Sequence, residues 1–264
     1  MVCLSFDVEE WDPPAIYGVA SEHSMSDRFS AEGCGRLLSL LGSRGVRCNF
    51  FATGVFARNC PDTVRELAEA GHEVGCHGNE HKPLVGLGYR ELKAEVKAGR
   101  ESVEAAAQRR VRGFRSPMNK GHPRLCEALG ELGFAYDSSV HPAVLPGRLS
   151  DILQRRDVHR VGGLAEVPIS TLYGLPISWW WMRNIGLEYT LLGCEASLRR
   201  YGYALLYFHP WEYTVLPEVR GVPAHITRGT GRPAESSLGR FIDRMKARGR
   251  TFGTIPDILE VKGF

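Results

Sequence analysis

The sequence predicts an α/β barrel built from a single domain over residues 1–264. Three observations carry this expectation. Apolar, strand-like runs alternate with periodic, helix-like stretches almost from end to end, which is the pattern of a parallel sheet with helices outside. Polar residues suited to chemistry recur at the ends of those runs, and in a parallel barrel such ends share one rim. No glycine-rich phosphate fingerprint follows the first run, which weakens a dinucleotide-binding reading. An open doubly wound sheet is the alternative architecture. The later units are uneven, so the barrel is expected to be an irregular relative of the eight-fold type.

The elements follow in order. Val2-Cys3-Leu4-Ser5-Phe6 is an uncharged apolar run, read as a buried strand, that ends abruptly in Asp7-Val8-Glu9-Glu10. Asp12-Pro13-Pro14 breaks the backbone, and the polar stretch to Ser30 reads as a long loop over the strand exit. Residues 31–43 have helical spacing (Leu37, Leu38, Leu40, Leu41), 46–53 form a second strand, and 61–70 a short helix entered through Pro61. A third strand at 73–76 runs into His77, and 89–108 is a long charged amphipathic helix. Strands at 111–115, 134–137, 163–169 and 203–209 alternate with helices at 123–132, 190–200 and 236–247. A last strand is expected at 251–255.

Composition narrows the function classes. The 33 basic and 30 acidic residues leave a formal charge of +3. The basic residues are spread along the chain, with only small clusters such as Arg109-Arg110 and Arg155-Arg156, so no nucleic-acid partner is expected. Seven cysteines form no CxxC pair and total an odd number, which reads as buried thiols in a reducing compartment. No basic segment followed by an apolar one opens the chain, and no run of about 18 apolar residues occurs. A cytoplasmic protein without a transmembrane segment is expected, with peripheral contact to a membrane left open.

The chemistry lies at the strand ends. Residues two apart leave a strand on one face, so Asp7 and Glu9 project together while Val8 and Glu10 take the other side. Two carboxylates so placed repel unless a cation or a proton lies between them. His77 and His81, four apart, fall on one face if the segment turns helically. With Asp7 or Glu9 they make two imidazoles and one carboxylate with open positions, which suits one catalytic Zn²⁺, or Fe, Co or Ni. A charged turn and two polar loop histidines are the plainer alternative. His209 ends the last strongly apolar strand and is a general-acid candidate beside that metal. Asp137 is placed to orient His209 and hold it protonated, and Arg115 to pair with Asp7 and keep it ionised. Ordinary ion pairs would serve either acid equally well. His72 reads as packing and His122 as helix-entry structure. Trp179-Trp180-Trp181 cannot all face one core, so an exposed ring there could stack on a sugar or touch a lipid.

With these motifs assembled, the chain resembles the NodB-type polysaccharide deacetylases, carbohydrate esterase family 4. It is most similar to the subgroup whose first motif reads Asp-Val-Glu and whose last reads His-Pro-Trp-Glu. The resemblance runs through Ser5–Glu9, Asn49–Gly54, Gly71–His77, His81, Phe114–Pro117, Tyr136–Ser139 and Leu206–Glu212. It implies a distorted (β/α)7-like barrel and metal-dependent removal of an N- or O-acyl group, usually from acetylated amino sugars. Carried over by position, Asp7 is the catalytic base, His77 and His81 are metal ligands, and Arg115 pairs with the base. Asp137 and His209 form the acid-side pair. Val8 stands where the common motif has a second aspartate, which makes Glu9 the third ligand. Met118 replaces a frequent aromatic, leaving its backbone N–H as the oxyanion donor. Met118, Trp211 and Trp180 are the expected substrate contacts. The resemblance implies an acetylated amino sugar as substrate; because no export signal is read, a cytoplasmic intermediate is favoured over an extracellular polymer, with a nucleotide or a lipid as an optional carrier. The rivals are a ureide or formamide hydrolase and a non-catalytic carbohydrate- or lipid-binding barrel.

Overall fold

The computed structural model describes residues 1–144 and 149–264. Its organising element is strand β1 (Val2–Val8), buried along its whole length. Period-2 alternation splits β1 between two cores. Leu4, Phe6 and Val8 pack outward under the helices, while Cys3 joins an inner cluster with Phe51, Tyr136, Leu205 and Tyr207.

The strands that follow are β2 (Asn49–Ala52), β3 (Glu73–Cys76), β4 (Gly113–Phe114), β5 (Tyr136–Asp137), β6 (His159–Val161), β7 (Leu164–Glu166), β8 (Thr171–Leu172), β9 (Leu175–Pro176) and β10 (Ala204–Phe208). The main sheet runs in the order β10-β1-β2-β3-β4-β5-β7-β6. Every pair is parallel except β6 with β7, and β8 pairs with β9 as a separate small ribbon. Between β7 and β10 the curl is drawn together at Ser170, whose N–H donates to Leu205 O at 2.9 Å and whose hydroxyl accepts from Leu205 N at 3.0 Å. The result is a distorted, curled parallel barrel, as the sequence predicted.

The helices are α1 (Pro13–Ile16), α2 (Asp27–Gly42), α3 (Gly54–Asn59), α4 (Pro61–Glu69), α5 (Tyr89–Ala107), α6 (Leu125–Glu131), α7 (Trp179–Asn184), α8 (Leu187–Tyr201), α9 (Ala224–Thr227), α10 (Arg232–Ala247) and α11 (Ile255–Lys262). None is long and apolar enough to cross a membrane. The described residues contain no disulfide, and Cys3, Cys34, Cys48, Cys76 and Cys194 are buried thiols.

Two expectations are corrected here. The stretch after Trp11 is not one long loop. Pro13 and Pro14 start α1, where a missing N–H costs nothing, and α2 begins at Asp27. The last strand is also absent. Phe252 makes one bridge to Val2, and Thr254 then caps α11, its hydroxyl and N–H both bonded to Asp257. Ile255 and Ile258 of α11 belong to the inner cluster, so this helix fills the barrel from the end opposite the strand exits.

Candidate active site

The exit of β1 delivers its acids on opposite sides, as strand parity requires. Asp7 and Glu9 face a pocket on the barrel rim, while Glu10 turns away and accepts from Thr53 Oγ1. Ser30 on α2 donates to the carbonyl of Glu9, so the residues just past the strand are anchored. The loop after β3 brings His77 and His81 to Glu9, their Nε2 atoms lying 3.3 and 2.9 Å from Glu9 Oε2. The donor atoms of Glu9, His77 and His81 all fall within 4.8 Å of one another.

The far side of each imidazole is anchored. His77 Nδ1 donates to Arg115 O at 2.9 Å, and His81 Nδ1 lies 2.7 Å from Asp12 Oδ2. Outer partners of this kind fix the tautomer and aim the other ring nitrogen inward. Glu9 Oε2 and His77 Nε2 are buried and make no hydrogen bond. Buried polar atoms left this way are costly, and a divalent ion accepting two imidazoles and a carboxylate would satisfy both. The donor set therefore fits a metal ion. Burial opposes the charge on His81, but Glu9 and Asp12 on either side outweigh it and hold the imidazole well above its usual value. Asp12 was not singled out in the sequence; only its place one turn past a strand exit hinted at a role.

Asp7 meets Arg115 as expected. Arg115 is fully buried, and its Nη1 donates to Asp7 Oδ1 and to Ser5 Oγ, each at 2.8 Å. Nε and Nη2 bond Ser138 O and Ser138 Oγ at 3.0 Å, and the guanidinium lies 4.4 Å from the Phe51 ring centre. A planar fork so completely occupied has no freedom to leave the carboxylate.

His209, following β10, reaches the same pocket, with Nε2 3.7 Å from Glu9 Oε1. Its expected partner is corrected. Asp137 accepts from Ser138 N and Ser139 Oγ at 2.8 and 2.6 Å and is hydrogen-bonded to Glu166. It lines a separate cavity and not this one. The carboxylate behind His209 is Glu212, whose Oε1 lies 3.3 Å from His209 Nδ1 and accepts the His209 backbone N–H at 2.8 Å. The physical reason is local: the 3₁₀ turn Pro210–Tyr213 folds residue 212 back onto residue 209, whereas Asp137 sits on a strand two places removed in the barrel. His72 and His122 hold the structural places expected, bonded to Cys48 N and Arg124 N.

The pocket has a volume of about 310 Å³ and largely apolar walls. Met118, Trp179, Tyr207, Trp211 and the buried Ile226 are among the lining residues, and the exposed Ile16 and Tyr17 lie at its edge. Trp211 stacks on His209 at 4.9 Å and 15°, and Trp179 meets His209 edge-on at 5.0 Å. The expected contact Trp180 is not among the lining residues; it packs against Trp181 and His225, while Trp179 takes the wall position. Successive helical residues point about 100° apart, so only one of the three rings can enter. Met118, Asn119 and Trp179 are three of six described non-glycine residues at positive φ, and all three line this pocket. Such strain concentrates at functional sites.

Residues 23–136 match the family model described as polysaccharide deacetylase. That stretch of the chain is similar to the family, and it spans less than half of the 264 residues. The matched stretch carries His77, His81 and Arg115; Asp7, Glu9 and His209 lie outside it. Among curated relatives, the chitooligosaccharide deacetylase of Sinorhizobium fredii is 32% identical over 82 residues, covering 31% of this chain and 38% of that protein. The matches span only 26–38% of the length of these curated relatives. Among solved structures, a Mycobacterium smegmatis protein described as a polysaccharide deacetylase superposes with a TM-score of 0.71 at 22% identity, over 98% of this chain and 88% of its own. An allantoinase superposes with a TM-score of 0.67 at 15% identity, over 98% and 88%. These likenesses show the polysaccharide deacetylase barrel.

Proposed function

We propose that this chain hydrolyses the N-acetyl group of an amino-sugar substrate, releasing acetate, with a divalent ion held by Glu9, His77 and His81. The observation that carries the reading is one pocket in which the Arg115-held Asp7, the three-donor cluster and His209 all meet. The ion, zinc by the chemistry of its donors and otherwise Co, Ni or Fe, would supply Lewis-acid polarisation of the amide carbonyl and a more acidic water. Asp7 takes a proton from the attacking water, while the hydrogen bond from Arg115 Nη1 holds its carboxylate in place. The backbone N–H of Met118 donates to the oxyanion that develops on the carbonyl oxygen. As the C–N bond breaks, His209 gives its Nε2 proton to the leaving nitrogen, which departs as an amine.

The substrate in this reading is a single or terminal acetamido sugar, carried on a nucleotide or a lipid. A pocket of about 310 Å³ matches one sugar ring, and Ile16 and Tyr17 give its mouth an apolar edge. The same volume favours, as a second reading, a small non-sugar amide such as a ureide or formamide. Zinc-loaded protein should release acetate from N-acetylglucosamine donors, with Asp7→Asn lowering kcat at least a hundredfold. Full turnover in that variant, or activity confined to ureides, would overturn the reading.

A further inference from the structure

Behind His209 lies a buried charged network that the reaction above does not use. Glu212 faces His209 through Oε1, and its other oxygen, Oε2, lies 2.7 Å from Arg183 Nε. The two side chains are 3% and 1% exposed, so this pair is sealed from solvent. Arg183 has further bonds to give. Its Nη2 donates to Ile226 O at 3.1 Å, and its Nη1 donates to Arg228 O. Ile226 lines the pocket, and Trp179, one helical turn before Arg183 on α7, forms the pocket wall against His209. One guanidinium thus joins three stretches distant in sequence: α7, the turn after β10, and the segment at 226–228.

We propose that Arg183 and Glu212 are positioning residues. Together they hold the His209 ring with Nδ1 toward Glu212 and Nε2 toward the leaving group, and they fix Trp179 and Ile226 around it. The proposal rests on the deacylase reading for the direction of proton transfer, but not for the geometry. Glu212 is buried and is not among the residues that line the pocket, whereas His209 and Trp211 are. Arg183 likewise acts through its neighbours. A planar fork suits this place because Nε serves the carboxylate while the two terminal nitrogens serve separate carbonyls, which a lysine ammonium reproduces poorly.

The test separates positioning from mere support of the fold. Amide hydrolysis needs a proton on the departing nitrogen, whereas an activated ester such as p-nitrophenyl acetate expels a leaving group that needs none. Glu212→Gln keeps an acceptor for His209 but loses the charge that matches Arg183. Zinc-loaded Glu212→Gln and Arg183→Lys should lose tenfold or more in kcat on the acetamido sugar, with KM within twofold, while p-nitrophenyl acetate turnover stays within twofold. Asp137→Asn should leave that ratio of amide to ester activity unchanged. Equal losses on both substrates would reduce the pair to a structural role and overturn the proposal. So would a selective amide loss in Asp137→Asn with none in Glu212→Gln.

A second readout needs no substrate. In proton NMR of ¹⁵N-histidine-labelled protein, the exchange-protected Nδ1–H of His209 should weaken or vanish in Glu212→Ala and persist in Asp137→Asn. An unchanged signal in Glu212→Ala overturns the proposal even if the wild type proves inactive on sugars. Wild type that is inactive on sugars yet shows the expected signals would sink only the substrate reading. If Glu212→Ala does not fold, Glu212→Gln serves for the same spectra, with the proton resonance shifted by loss of the charged acceptor.

Discussion

Arg115 is the residue on which Asp7 most depends. Its charge is buried with that of Asp7, and removing one partner leaves the other uncompensated. Arg115→Met should therefore cost about 3–5 kcal/mol of stability, measured by denaturant unfolding, and adding Asp7→Asn should restore part of it. Behind the ligands, Asp12 makes a sharper test because it touches His81 without entering the donor set. Asp12→Asn should weaken metal affinity by about 10–100-fold with the stoichiometry unchanged, measured by competition with a chelator. His77→Ala and His81→Ala should each lose the bound ion altogether. At this scale strand parity placed Asp7 beside Glu9 before any coordinates; His77 and His81 do meet, but across a bend with Gly78 at φ +77 and not through the helical turn that their spacing suggested. Glu212, Arg183 and Asp12 were not readable that way. Each gains its role from a turn or loop that folds back, and no periodicity records which carboxylate a histidine will meet.

The loop carrying the histidines owes its course to close packing against α5. Gly78 sits at φ +77, and a Cβ on Gly99 would stand 2.4 Å from Gly78 O. Real Cβ atoms do not tolerate that separation from backbone, so helix or loop would have to shift. Gly99→Ala should destabilise the fold by about 1–3 kcal/mol and also lower metal affinity, although it touches no ligand. Thermal unfolding with and without zinc checks both parts, since displaced ligands shrink the metal-induced rise in Tm. Long periodic helices such as α5 were legible to within a residue or two, and β3 fully so. The short strands β4 and β5 were overread because apolar residues, Val111 and Phe134, come before the first ladder pair. The final segment went wrong for a physical reason. Thr254-Ile255-Pro256-Asp257 carries a helix-capping pattern, and that local signal outweighed the apolar run around it.

At the scale of the whole molecule, a pair of buried carboxyls in the barrel works against stability at neutral pH. Asp137 and Glu166 are buried side by side; burial pushes Asp137 up to about 6, and burial followed by the Asp137 charge pushes Glu166 well above its usual range. The folded chain thus keeps protons that unfolded carboxyls release near pH 4. Stability from this pair is greatest at or below that pH and falls as pH rises through 6 and beyond. Glu166→Gln should accordingly gain about 1–3 kcal/mol relative to wild type between pH 5 and pH 8, read from urea midpoints at each pH. A flat difference across that range would show that the two carboxyls do not share a proton.

The ladder between β1 and β10 also has a consequence for how the protein is made. Ser5 on β1 and Leu206 on β10 are bonded across 201 positions of sequence. A ribosome that has released β1 through β5 has already supplied both histidines, Asp7, Glu9 and Arg115, but β1 still lacks one neighbour. Until β10 emerges, that strand is an open edge able to pair with the wrong chain. On the proposed function, the nascent protein would hold the three donors for an ion well before it holds the proposed acid, because His209 arrives only with the closing strand. Metal supplied during synthesis would then act as an early brace for the half-built barrel, and its withdrawal should raise aggregation of ribosome-bound chains more than it harms the finished fold.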